Sequence, residues 1–228
     1  MSPLPTIELY SDIHCPWAYM AIFRLRVVWP DYQGRVRVVF RSLALELKNR
    51  RPTPKPILDQ EIPLMAEQQP DLPIRLWHAP EWKFVATLLP AFEAVKAAQE
   101  QGDEAAWEFG WLVRHAFFAH SRTICLRSEL ARVAGEAGLN VERFLEDWDS
   151  GRYRRAVVAD SHHGWEELKV PGSPTFVLPN GAQVHNPGAI GVTWGPHETI
   201  AGTTPAGCPN GDCLQVFRDM LERAIAPE

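Results

Sequence analysis

Asp12-Ile13-His14-Cys15-Pro16-Trp17-Ala18-Tyr19 stands where a short β-prone run, Thr6–Tyr10, gives way to apolar residues at helical spacing. Tyr19, Ala21, Ile22, Leu25 and Val28 mark one helix, from Pro16 to about Trp29, of the kind that packs on a sheet. Pro16 suits the first helical turn, where its missing N–H costs little, and Pro30 stops the helix. Cys15 therefore falls at a helix N-terminus, facing free N–H groups and the positive end of the dipole. Both favour a thiolate, and the thiolate is the nucleophilic form. Position alone makes Cys15 a candidate nucleophile, against the plainer reading of a buried structural cysteine.

Downstream, Val36, Val38 and Phe40 alternate with Arg35, Arg37 and Arg41, giving a second strand over about 35–41. A connector with Pro52, Pro54 and Pro56 follows, then a long helical region. Trp82–Gln101 carries periodic apolar residues, with Pro90 as an expected kink or break. Asp103–Ala119, 127–137 closed by Gly138, 141–149 capped by Asn140, and 151–166 are further helices. The period then returns to two. Thr175–Leu178 reads as a strand, Asn180-Gly181 as a hairpin turn, and Gln183–His185 as the returning strand. Residues 187–212 are Gly- and Pro-rich and give no periodic signal, and Leu214–Ala224 closes the chain as an amphipathic helix. The order is βαβ, a helical block, then ββα, which specifies an α/β sheet carrying a helical insertion.

Composition bounds what such a fold does. The chain has 228 residues, 46% hydrophobic and 22% charged, which is ordinary for a packed protein and argues against disorder. The net charge of −5 leaves no basic excess for phosphates, so nucleic acid is not an expected partner. No apolar run approaches the roughly 18 residues of a membrane span. The first residues lack a basic stretch leading into an apolar one, so a cytoplasmic location is expected. Four cysteines are too few for a disulfide scaffold and fit a reducing compartment. Twenty prolines, well above the usual share of about 5%, predict many fixed turns.

A second stretch, Val170-Pro171-Gly172-Ser173-Pro174-Thr175-Phe176, stands just before the Thr175 strand. With the Cys15 stretch, and in this order, it resembles the thioredoxin superfamily and within it the DsbA-like branch. The resemblance spans about 6–186, and the terminal helix also fits. On Ala79–Gly102, Ser128–Asn140 and Val170–Gly181, the segment Pro80–Gly188 resembles the cytoplasmic FrnE-type members. It implies a thioredoxin-like fold with a large helical insertion: 1–50 and 169–228 form the thioredoxin-like domain and 51–168 the insertion. It implies that Cys15 is the attacking cysteine, with His14, Pro16, Trp17 and Ala18 tuning it. Pro174 matches a cis-proline, and Ser173 the residue whose backbone pairs with substrate. Related single-insertion members pair, so a homodimer is an expectation of the same kind.

One departure reshapes the chemistry. The family's resolving cysteine would stand at position 18, where this chain has Ala18. Closing an internal disulfide needs a second thiolate in the motif, so that route is excluded. Monothiol exchange remains: Cys15 forms a mixed disulfide and another thiol, such as glutathione or another low-molecular-weight thiol, resolves it. No tightly bound cofactor is implied, and the expected substrate is a thiol or disulfide, small or protein-borne. Two other classes stay open. Kappa-class glutathione transferases and 2-hydroxychromene-2-carboxylate isomerases share the fold and keep one catalytic residue, usually Ser. A binding homologue without redox activity is the third.

Other residues carry less. Cys208 and Cys213 form a C-x4-C pair in the segment where the chain exceeds the family pattern. They read as loop cysteines, as an accessory redox relay or local disulfide, or as half of a zinc site that would need two more ligands. No metal motif is recognised. His14 would favour the thiolate if its charged ring approached the sulfur. Cys125 and most tryptophans read as core, Trp17 being the exception.

Overall fold

The computed structural model describes residues 3–226. β1 (Thr6–Ser11) leads through Cys15 into α1 (Pro16–Val28), which crosses over to β2 (Arg37–Ser42), parallel to β1. α1 is buried almost all round, from Trp17, Ala18 and Tyr19 to Leu25 and Val28. Such a helix has no solvent face because protein covers both sides.

Between β2 and the next strand of the sheet lie α2 (Leu45–Asn49), α3 (Lys55–Gln68), α4 (Leu89–Gln99), α5 (Asp103–Phe118), α6 (Arg127–Glu136), α7 (Val141–Asp149) and α8 (Tyr153–His162). The Asn140 side chain accepts the Arg143 N–H and caps α7, as its identity led one to expect. Two expectations are corrected. Pro90 does not kink a helix starting at Trp82; it lies in the first turn of α4, and Glu81–Lys83 is only a 3-10 turn. The proline-rich connector is shorter than it reads, because Pro54 caps α3 and Pro56 opens it. α3 even contains Pro63, at a cost of about 3 kcal/mol in an isolated helix. Burial of Leu58, Ile62 and Met65 offsets it.

After α8 the chain makes a π turn, His163–Glu167, whose Gly164 lies against Tyr10 and Leu43. β3 (Thr175–Val177) then pairs antiparallel with β1, and β4 (Gln183–His185) antiparallel with β3, giving the sheet order β2-β1-β3-β4. β2 is an edge strand, and the insertion blunts its outer side: Gln99 donates to Phe40 O and Asp160 accepts from Ser42 N. This is a mixed α/β thioredoxin-like fold with a helical insertion.

Residues 187–212, unassigned from sequence, hold a hairpin of β5 (Gly191–Trp194) and β6 (Ile200–Thr204). It lies on α3: Gln60 donates to Glu198 O and accepts from Ile200 N, and Gln68 does the same for Gly188 O and Ile190 N. α9 (Cys213–Ile225), capped by Asp212, packs on α1 through Phe217, Met220, Leu221 and Ala224. No helix among the described residues is long and apolar enough to cross a membrane.

Candidate active site

The two marked stretches meet. Cys15 caps α1 and is 5% exposed, and its thiol donates to Ser173 O at 3.3 Å. The Ser173 hydroxyl in turn accepts the Asp12 N–H at 2.8 Å. The Ser173–Pro174 peptide bond is cis. Pro174 O accepts the Asn186 N–H at 3.1 Å and lies 3.0 Å from His185 Nδ1, and the Thr175 hydroxyl donates to Gly172 O at 2.7 Å. The β3–β4 hairpin thus holds the loop that faces the sulfur.

Below the nucleophile is a buried polar layer. The Asp12 carboxylate accepts the N–H groups of His14 at 2.6 Å and Leu45 at 2.7 Å. Burial pushes it up to about 6, against the pull of those N–H groups and of Arg114. Arg114, on α5, donates to Ser11 Oγ at 3.0 Å and Gly110 O at 2.8 Å. Burial brings its guanidinium down to about 10, still cationic at neutral pH.

Glu61 was not singled out from sequence. It accepts the Trp17 Nε1–H at 2.7 Å, is 7% exposed, and is pushed up to about 7 by burial. A local signal existed: Leu58, Glu61 and Met65 share the helical spacing of the inward face of α3, so a carboxylate stands in an apolar stripe.

The thiolate expectation is overturned. Burial pushes the Cys15 thiol up to about 12, with Glu61 and Asp12 adding to the rise, while the Ser173 side chain and the Ala18 N–H oppose it. Removing a thiolate from water costs more here than the partial charge of the helix terminus returns. His14 does not act on the sulfur as a cation. It is 1% exposed, its ring centroid lies 4.4 Å from that of Phe117 and 5.6 Å from that of Phe84, and burial brings it down to about 3. Neither ring nitrogen has a hydrogen-bond partner among the described residues.

Ala18 is fully buried. Cys208 and Cys213 form a disulfide with each other, so the local-disulfide reading holds. The pair is remote from Cys15: Cys213 Cβ packs against Gly188, whose carbonyl takes a hydrogen bond from Arg24. Arg24 lies nine residues beyond Cys15 on α1, about 14 Å along the helix. Cys125 is free and half-buried. Among the described residues, no three His, Cys, Asp or Glu side chains group as metal ligands. Of the tryptophans read as core, Trp82 is 80% and Trp194 44% exposed.

The family model described as a DSBA-like thioredoxin domain matches residues 6–194. No curated protein matches the chain. Among solved structures, a putative protein disulfide isomerase from Nitrosomonas europaea superposes with a TM-score of 0.67 at 14% identity, covering 97% of this chain and 99% of that one. The cytosolic disulfide reductase DsbM from Pseudomonas aeruginosa with GSH gives 0.59 at 22% identity, over 79% and 89%. A 2-hydroxychromene-2-carboxylate isomerase gives 0.58 at 15% identity, over 96% and 95%. At these identities the likeness is one of fold.

Proposed function

The chain belongs to the DSBA-like thioredoxin domain family, and on that premise we propose that it is a thiol–disulfide oxidoreductase working through one cysteine. The observation that carries the reading is the Cys15 sulfur against Ser173 O, with an alanine where a second thiol would have to stand. Cys15, as thiolate, attacks one sulfur of a disulfide R–S–S–R′. A Cys15–S–S–R bond forms, the R–S–S–R′ bond breaks, and R′–S⁻ leaves with the electron pair. A small thiolate then attacks the Cys15–S–S–R bond, forms a disulfide with R, and returns Cys15 as thiolate. Glu61, whose charge acts on the thiol and whose own proton affinity burial raises, receives the Cys15 proton. The Ser173 backbone aligns the substrate chain, and Pro174, having no N–H, offers no competing donor there.

Glutathione is the natural small thiol to try. The named likeness to a cytosolic reductase with GSH supports that choice, and a reducing cytoplasm suits it. The Cys208–Cys213 disulfide is the feature at odds with such a compartment, and we assign it a structural role in closing the hairpin segment. The test is turnover of a mixed disulfide of glutathione: wild type and Cys208→Ser turn over, Cys15→Ser does not. Activity surviving in Cys15→Ser sinks the reading.

A specific observation favours a second reading. A thiol held neutral against a carbonyl acts as a hydrogen-bond donor, as a serine hydroxyl does in glutathione-dependent isomerases or transferases. Cys15→Ser that retains turnover of a glutathione conjugate selects it.

A further inference from the structure

α5 ends beside a pair of imidazoles. His115, in its last turn, is half-buried, and His120, five residues on, is exposed. Their Nε2 atoms lie 3.2 Å apart, with the ring planes at 88°. The inner ring is fixed from behind. The Tyr19 hydroxyl, on α1, lies 3.2 Å from Pro73 O and 2.9 Å from His115 Nδ1. A carbonyl only accepts, so the Tyr19 O–H donates to Pro73 O. The hydroxyl oxygen is left to accept the His115 Nδ1–H, which puts the lone pair of that ring on Nε2. Trp111 stacks on the same ring, with centroids 5.6 Å apart. Burial, and then the neighbouring His120, hold His115 below the ordinary histidine value, so its ring is neutral at pH 7. The nearby Arg122 charge is met by Glu129 at 2.7 Å and Glu136 at 2.9 Å.

We propose that His115 and His120 hold a divalent transition-metal ion, of the zinc and nickel class, through their two Nε2 atoms. Two metal–nitrogen bonds of about 2.0–2.1 Å at a tetrahedral angle set their nitrogens about 3.3 Å apart, and the 3.2 Å between these rings fits. Tyr19 has the place of the outer partner of a metal-bound imidazole: it takes the far N–H and sets the plane of the ring. His120 carries its proton on Nδ1, which has no partner among the described residues, and so frees its own Nε2. Water fills the remaining positions, because among the described residues no third His, Cys, Asp or Glu joins the pair. Imidazole nitrogens suit zinc, nickel or copper, whereas magnesium and calcium take oxygen ligands. The site stands apart from the chemistry of Cys15 and holds whether or not that thiol is redox-active.

The test is calorimetric titration of Ni²⁺ into the untagged full chain near neutral pH. Wild type binds an ion, and His115→Ala and His120→Ala each lose it. Tyr19→Phe keeps the stacks on Trp111 and Phe118 and weakens binding by roughly tenfold. His120→Ala changes an exposed side chain, so the metal-free variant melts as wild type does and its loss of binding is not unfolding. Ni²⁺ raises the melting temperature of wild type and not that of His120→Ala. The double variant His162→Ala, His163→Ala, which removes the adjacent rings beside Glu167, binds as wild type does. No binding to wild type, or binding that survives in His120→Ala, overturns the proposal and leaves His115 and His120 joined by an N–H···N bond only. Binding lost with His162 and His163 instead moves the ion to those rings and overturns it equally.

Discussion

The sulfur of Cys15 lies 3.3 Å from the carbonyl oxygen of Ser173, 158 residues further along the chain. The contact joins the cap of α1 to the loop before β3, in a site whose burial keeps the thiol protonated. The nucleophile thus rests neutral in a buried site and needs opening or a proton acceptor before it reacts.

Alkylation of Cys15 should therefore climb with pH and show no plateau up to about pH 9, since burial pushes the thiol up to about 12. Iodoacetamide labelling with peptide mass spectrometry follows Cys15 apart from the half-buried Cys125. A plateau below about pH 8 would mean that the helix terminus outweighs burial.

Glu61 links the site to stability. Its carboxyl rises on folding from 4.5 to about 7, so the folded state holds the proton more tightly. That contribution is fully present below the unfolded value of 4.5 and is lost as pH rises through about 7. Glu61→Gln should match wild type in urea below pH 4.5 and exceed it by roughly 3 kcal/mol above pH 7. A difference that does not change with pH contradicts the burial of this carboxyl.

Gly164 fixes the approach of the π turn to the sheet. A Cβ there would stand 2.8 Å from Leu43 Cδ1 and from Tyr10 Cδ1. Gly164→Ala should lose about 1–3 kcal/mol in denaturant titration. An unchanged midpoint would show that α8 and its turn shift freely.

The sheet, the site loop and most helices were legible because each has a local cause: period-two alternation, an Asn140 cap, an Asn180-Gly181 turn. Cys15 was legible from its place at the start of a helix, and Pro174 only through the family resemblance. α3 was obscured by Pro54, Pro56 and Pro63, which local rules treat as breakers and tertiary burial tolerates. Glu61 went unseen with it, since its partner Trp17 is 44 residues away. The neutral states of Cys15 and His14 were not legible, because desolvation depends on what folds over a residue. For His14 that cover comes from Phe84 and Phe117, on separate parts of the insertion.

The claim that one cysteine does the chemistry is tested most directly by intact-mass and peptide analysis after incubation with oxidised glutathione. The account predicts one glutathione per chain, on Cys15, released by reduced glutathione and absent from Cys15→Ser. No adduct on Cys15, or Cys15 recovered in a disulfide with Cys125, Cys208 or Cys213, contradicts it.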